Sequence, residues 1–410
     1  MSSYRTRTME QSFQRAAQQF PVVMITGPRQ VGKTTLLRHL AGETLRYVTL
    51  DDPLVRTLAR EDPALFLQRF PTPLLIDEVQ YVPELLTYIK MIVDRERRPG
   101  QPALFWLTGS QQFHLMKGVS ESLAGRVGIL NLLGFSQREL EAAPFTSPFV
   151  PYLANLEERD SSRPILLHEI YERIWRGSFP ALWDEVEMDP GLYFSSFVQT
   201  YLQRDIRDLA NVGDENGFMR FLRACAARTG QMVNLQDLCR DVDLNHATGK
   251  RWLSILESSG IVFLLQPYHS NINKRLVKTP KLYFLDTGLA AWLTQWSSPA
   301  TLEAGAMSGA FFESWVVSEI VKSWWHHGRE APIFYYRDRD GREIDLLIAQ
   351  DGQLFPVEIK RSASAGREAI RHFKALDTLG VPVGPGCLIS LAEMRLPLTE
   401  TVQSIPVSYL

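Results

Sequence analysis

Between Gly27 and Thr34 the chain reads GPRQVGKT, with a second threonine at Thr35. The spacing G-x-x-x-x-G-K-[ST] is a phosphate-binding pattern, and here it follows an apolar run and opens an apolar-periodic one. Gly27 and Gly32 let the backbone through Pro28, Arg29, Gln30 and Val31 curl, so that successive N–H groups face an anion. Lys33 brings a compact charge to the β- and γ-phosphates, and the Thr34 hydroxyl is placed to ligate Mg²⁺. Such a loop needs a neighbouring strand that ends in carboxylates. Leu74-Leu75-Ile76-Asp77-Glu78 supplies it, with Asp77 to hold magnesium and Glu78 to orient or deprotonate an attacking water. Thr108 and Ser110, closing the run FWLTGS, stand where they would sense the γ-phosphate. Arg126 is read as reaching nucleotide in the same or a neighbouring subunit. The chemistry implied is Mg²⁺-dependent binding and hydrolysis of ATP.

A second constellation lies near the other end. GREIDLLIAQDGQLFPVEIKRS reads as a hairpin turning at Asp351-Gly352. That register sets Asp345 across from Glu358 as a non-hydrogen-bonded pair, with side chains about 5 Å apart. Lys360 shares the face of Glu358. Like charges so opposed destabilise a sheet unless a cation lies between them. Glu313, on the helical face of Val316, Val317 and Ile320, adds a third carboxylate. Together these predict a site for Mg²⁺ or Mn²⁺ at Glu313, Asp345 and Glu358, with Lys360 positioning water or stabilising phosphate charge. The competing expectation is a sheet surface whose acids are neutralised by Lys360 and Arg361. Pro356 predicts an edge or irregularity on the side of its strand away from this partner. His326 and His327 are adjacent, do not share a helical face, and read as a surface helix terminus.

These residues need elements to carry them. PVVMIT, LRYVTL, PLLIDE and ALFWLT are apolar runs separated by helix-like stretches, the pattern of a parallel α/β sheet. Residues 145–164 are rich in proline, serine and charge and read as a boundary; 294–309 reads as a second connection. In between, NLQDLCRDVDLNHATGKRWLSILESSGI predicts two helices capped by Asn234 and Asn245, with Trp252, Ile255 and Leu256 facing a core. Two strands follow, joined by a segment holding Lys274, Arg275 and Lys278, with Lys281 just after. Helix-turn-helix plus a basic wing is a DNA-binding architecture, in which Lys250 and Arg251 would lie near phosphates. The same shape also serves as a lid or a protein-docking module.

Composition sets the frame. The 410 residues carry 44 Lys and Arg against 46 Asp and Glu, a net charge of −2, which excludes a globally basic nucleic-acid coat but not a local basic face. No run is apolar enough for a membrane span, and the N-terminus lacks the apolar centre of a secretory signal. Three cysteines form neither a disulfide framework nor a zinc motif, so a reducing cytoplasm is expected.

The ordered set ITGPRQVGKTTLL, LLIDEVQ, LTGSQQF, SLAGRV, YLQRDIRDL, KRWLSILESSGI, KRLVKTPKLYFLDTGLA and FPVEIKR resembles a large family of bacterial and archaeal AAA-type ATPases, usually called simply ATP-binding proteins. The resemblance implies an α/β chain of a P-loop ATPase domain (1–150), a helical connecting region (151–225), a winged helix (226–295) and a small α/β restriction-endonuclease-like domain (305–410). In the PD-(D/E)XK pattern of that last fold, Glu313, Asp345, Glu358 and Lys360 fall on the metal-site positions, with Ile344-Asp345 in place of Pro-Asp. It implies ATP and Mg²⁺ as ligands; an AAA-type core often forms rings, so a homo-oligomer is an open expectation with no residue fixing a subunit number, and double-stranded DNA is the partner expected of the winged helix and C-terminal domain. The function expected is ATP hydrolysis coupled to DNA engagement and a nuclease-like site. The alternative is an ATP-dependent switch or docking scaffold whose nuclease-like fold is inactive.

Overall fold

The computed structural model describes residues 4–43, 45–98, 100–109, 118–119, 121–143, 147–160, 164–184, 188–201, 214–269 and 279–410. The first sheet comprises β1 (Val22–Thr26), β2 (Arg46–Thr49), β3 (Leu74–Asp77), β4 (Phe105–Thr108) and β5 (Val127–Asn131). Its order is β2-β3-β4-β1-β5 and every pairing is parallel. Helices α1 (Met9–Gln19), α2 (Lys33–Ala41), α3 (Pro53–Glu61), α4 (Pro63–Arg69) and α5 (Leu85–Glu96) supply its cover. Alternate residues of β1 divide between the two faces: Val23 and Ile25 pack with Phe13 and Leu36, Val22 and Met24 with Ile76 and Leu86. Strands covered on both faces must be apolar throughout, as the four runs are.

The middle of the chain is mostly helical: α6 (Gln137–Leu140), α7 (Leu153–Glu158), α8 (Leu167–Arg176), α9 (Pro190–Tyr201) and α10 (Glu215–Ala226). Then come β6 (Gln231–Met232), α11 (Leu235–Asp241), α12 (His246–Ser258), β7 (Val262–Leu265) and β8 (Lys281–Phe284), whose strands form an antiparallel sheet ordered β6-β8-β7. The Asn234 and Asn245 side chains accept from Gln236 N and Thr248 N, the caps expected, and Trp252, Ile255 and Leu256 are buried. After α13 (Thr287–Leu293), the stretch read as a second connection holds α14 (Pro299–Ala304), started by a Ser298 cap and a proline in the first turn.

Helix α15 (Ser308–Trp325) enters the second large sheet, made of β9 (Ile333–Arg337), β10 (Glu343–Gln350), β11 (Gln353–Lys360), β12 (Gly386–Ser390), β13 (Leu396–Pro397) and β14 (Val402–Pro406). The order is β13-β14-β12-β11-β10-β9. Asp351 and Gly352 both have positive φ, 51° and 74°, and the hairpin keeps the register their turn predicts, from Gln350↔Gln353 to Leu346↔Val357. Pro356 lies in an interior strand, not an edge; the parallel pairing with β12 begins at Val357, one residue beyond the missing donor.

Candidate nucleotide site and C-terminal acidic cluster

The loop Gly27–Gly32 runs from the C-terminal end of β1 into the N-terminus of α2. Gly27 has φ 140° and Gly32 φ 89°, and a Cβ at Gly27 would sit 2.0 Å from the Leu132 carbonyl oxygen. Only glycine fits there. Gln30 also takes a positive φ of 62°, so the curl extends through the loop. The Lys33 ammonium is buried and folded back, 3.1 Å from Gly27 O and 2.7 Å from Pro28 O.

Because β4 lies between β1 and β3, the C-terminal end of β4 falls between the loop and the acids. Thr34 Oγ1 donates to Asp77 Oδ1 at 2.8 Å, and Tyr47 OH donates to Asp77 Oδ2 at 3.0 Å. The Thr108 hydroxyl donates to Asp77 Oδ1 and accepts from Glu78 N at 2.9 Å, so it aligns both acids. Glu78 adopts a left-handed conformation (φ 58°) and its carboxylate accepts from the Gln80 amide. A non-glycine residue held there re-aims its side chain out of the strand direction. Burial, then Asp77, pushes the Tyr47 phenol up to about 12. Tyr47 was missed from the sequence because only the parallel pairing of β2 with β3 brings it to the acid. Ser110 lies outside the described residues.

Arg126 stands elsewhere. It precedes β5, whose Val127 pairs with Val22 at the start of β1, so it occupies the edge of the sheet opposite the loop. There it grips Asp94 on α5, with Nε–Oδ1 2.6 Å and Nη2–Oδ2 3.1 Å. The expectation that it reaches nucleotide in its own subunit is corrected by the parallel sheet, which sends the two ends of neighbouring strands to opposite edges.

Of the C-terminal carboxylates, Asp345 and Glu358 meet on one lysine, while Glu313 is held by other partners. Lys360 Nζ lies 2.6 Å from Glu358 Oε1 and 3.2 Å from Asp345 Oδ2, and Asp345 Oδ2 also accepts from Ile359 N at 2.9 Å. Glu313 Oε1 accepts from Tyr283 OH at 2.6 Å and faces Lys281 Nζ at 3.3 Å; Lys281 also reaches Glu343 at 2.6 Å. Burial and then Asp345 raise Glu358 to about 8, with Lys360 pulling the other way. Burial and Asp345 likewise raise Glu313, opposed by Lys281. Lys281 was expected beside the basic wing. Its side chain instead is 5% exposed and sits between two glutamates, so β8 turns it inward to the cluster. Among the described residues, no three His, Cys, Asp or Glu side chains converge closely enough to hold a metal ion. Lys274, Arg275 and Lys278 lie outside the described residues, while Lys250 and Arg251 are exposed on α12.

His326 corrects another expectation. It caps the end of α15, as read, but is 1% exposed rather than on the surface. Its Nδ1 is 3.4 Å from Glu139 Oε1, and its Nε2 accepts from Leu133 N at 3.2 Å. The three cysteines are free and buried.

Residues 19–141 match the AAA domain model, 167–300 a domain of unknown function (DUF8612) and 308–410 another (DUF4143). The chain therefore carries an AAA-type P-loop ATPase domain followed by two domains of unknown function. It is similar to the uncharacterized proteins Rv2008c of Mycobacterium tuberculosis and Mb2031c of Mycobacterium bovis, each 29% identical over 395 residues, covering 96% of this chain and 81% of the relative. Among solved structures, the Walker-type ATPase PABY2304 of Pyrococcus abyssi is 15% identical, covers 70% of this chain and 94% of its own, and superposes with a TM-score of 0.42. The ORC2 protein of Aeropyrum pernix in its ADP form is 16% identical, with coverage of 62% and 85% and a TM-score of 0.29. Among the described residues, no helix is long and apolar enough to cross a membrane.

Proposed function

We propose that this chain is a Mg²⁺-dependent ATPase whose nucleotide state is read out by its middle and C-terminal domains. The observation that carries the reading is one hydrogen-bonded set beside Lys33: Thr34 and Thr108 both donate to Asp77, and Thr108 accepts from Glu78 N. Loop amides and the α2 N-terminus would bind the β- and γ-phosphates, and Lys33 would exchange the Gly27 and Pro28 carbonyls for phosphate oxygens. Thr34 and Asp77 are hard oxygen donors of the kind Mg²⁺ takes, and the ion would supply neutralisation of phosphate charge. Glu78 orients the attacking water and accepts its proton, while Thr108 fixes the Glu78 backbone. ATP turnover tests this. Lys33→Ala should abolish it, and Glu78→Gln should bind ATP yet lose about 10²–10⁴ in rate; a Lys33→Ala protein that hydrolyses ATP like the parent removes the assignment.

For the readout domains, the helix–strand–helix–helix–hairpin order around α11 and α12 supports a DNA-engaging winged helix, with Lys250 and Arg251 outward. The order α15, three antiparallel strands, the helical segment Arg367–Leu379 and parallel β12 supports a restriction-endonuclease-like core. One observation favours a cation there: among the described residues, Glu358 Oε2 is buried without a hydrogen-bond partner. Against it, each carboxylate already has a lysine beside it: Lys281 lies against Glu313 and Glu343, and Lys360 against Asp345 and Glu358. That donor set fits a closed ionic cluster better than an open metal site, so the reading adopted is an ATP-dependent switch, with no cleavage step assigned. Metal-dependent nicking of plasmid DNA in Mg²⁺ or Mn²⁺ that disappears in Glu358→Ala would reverse that choice.

A further inference from the structure

The phosphate loop is held from behind by a buried charged set that reaches the C-terminal domain. Arg7 Nη1 donates to Val31 O, inside the loop, at 2.9 Å; Nη2 donates to Leu133 O at 2.8 Å and to Gly134 O at 3.2 Å. Its Nε lies 3.2 Å from Glu139 Oε2, and both side chains are no more than 3% exposed. Glu139 in turn accepts from Thr8 N and Ser136 N and faces His326 of α15. Two more α15 side chains on that helical face take hold of the same strap: Glu319 Oε2 accepts from Gln137 N at 2.9 Å, and Lys322 Nζ donates to Phe135 O at 3.0 Å. The strap behind the loop, residues 132–137, is the segment whose Leu132 carbonyl forbids a Cβ at Gly27. Among the described residues, Arg7 Nε and His326 Nδ1 face Glu139 at ion-pair distance without a hydrogen bond of their own, so the set is costly to bury and is weak evidence for stability; its contacts with the loop and the strap give it a use in position instead.

We propose that Arg7, Glu139 and His326 are positioning residues for the phosphate loop, and that through them the C-terminal helix α15 is a structural part of the nucleotide site. This rests on the ATPase reading and names how the site is regulated. Arg7 clamps the loop to the strap; α15 clamps the strap. The same helix carries Glu313 into the acidic cluster three turns away, so a shift of the loop on binding triphosphate is delivered to that cluster along a rigid element.

The test uses the full chain. Arg7→Lys keeps the charge but cannot bridge three carbonyls, and His326→Gln keeps an acceptor for Leu133 N but gives up the contact with Glu139. Both should raise the Kd of a fluorescent ATP analogue and the KM for ATP about tenfold, with kcat within about threefold, because the loop is bound in a less ready shape and the chemistry at Glu78 is untouched. In the parent, ATP should slow amide hydrogen exchange both at Leu133–Gln137 and across the C-terminal half of α15. In His326→Gln the first protection should persist and the second should fade. Folded variants that bind ATP like the parent, or a parent whose α15 exchange is blind to ATP, overturn the proposal while leaving the ATPase reading intact. A parent that binds no nucleotide overturns both.

Discussion

Thr108 shows how little of a residue's role lies in its own type. As a hydroxyl at a strand end it is unremarkable, yet it spans Asp77 and the Glu78 backbone because β4 is inserted between the loop strand and the acid strand. Thr108→Val should therefore cost about tenfold to a hundredfold in kcat with a smaller change in KM, measured by steady-state ATP turnover, since the acids lose alignment and not identity. Lys281 makes the complementary case for stability. Its buried ammonium lies between the partly exposed Glu313 and Glu343, and Lys281→Met should lower the unfolding free energy by about 1–3 kcal/mol in urea titrations, with Glu313→Gln in the same chain recovering part of it. Glu358 gives a pH signature. Its carboxyl is held near 8 in the folded chain against an ordinary value of 4.5, so the folded state retains a proton that the unfolded state has lost between those values. Stability at this site is thus full at low pH and falls as pH rises from about 4.5 to 8. Urea midpoints at pH 5 and pH 8 should converge in Glu358→Gln relative to the parent.

At the scale of elements, the readable parts are those whose partners are near in sequence or fixed by a turn. The phosphate loop and α2 adjoin, and the Asp351-Gly352 turn sets the hairpin register that brings Asp345 and Glu358 to Lys360. Asn234 and Asn245 announce their helices because a cap needs only the next three residues. What escaped is set by distant packing. Which way β8 faces decides that Lys281 joins the acids, and β6, of two residues, carries no periodicity by which its pairing with β8 could be foreseen. His326 looks like a frayed terminus until α15 is laid against the strap after β5. Arg126 lies away from the loop of its own chain for a related reason: a motif says nothing of which end of the strands it occupies, whereas the parallel pairing of β5 with β1 does. For α12, the outward pair Lys250 and Arg251 leads to a salt-dependent prediction. If this helix meets DNA phosphates, replacing both with alanine should weaken binding uniformly across sequences and lower the slope of log K against log salt by about two. An unchanged slope removes α12 from any phosphate contact.

Over the whole molecule, the question is whether three domains act as one. A single apolar cluster runs from Val23 and Ile25 of the first sheet, through Phe221 and Leu256 of the middle region, to Val317 of α15 and Ile359 of β11. The polar contacts of Arg7, Glu139, Glu319, Lys322 and His326 cross the same boundary. An interface of that kind differs from the small, wet contacts that let domains move and melt independently. Calorimetry of the full chain should therefore show one endotherm. A nucleotide that binds only the folded P-loop site, at a hundred times its Kd, stabilises by about 2.7 kcal/mol. Spread over the unfolding entropy of some four hundred residues melting together, that is a rise of about 3 °C in the common Tm. Were the ATPase domain to melt alone, the same binding energy would act on about a third of that entropy, and the shift would be about three times larger and confined to one of two transitions. Two endotherms, only one of them moved by ATP, would mean that the nucleotide site and the acidic cluster are neighbours without being coupled.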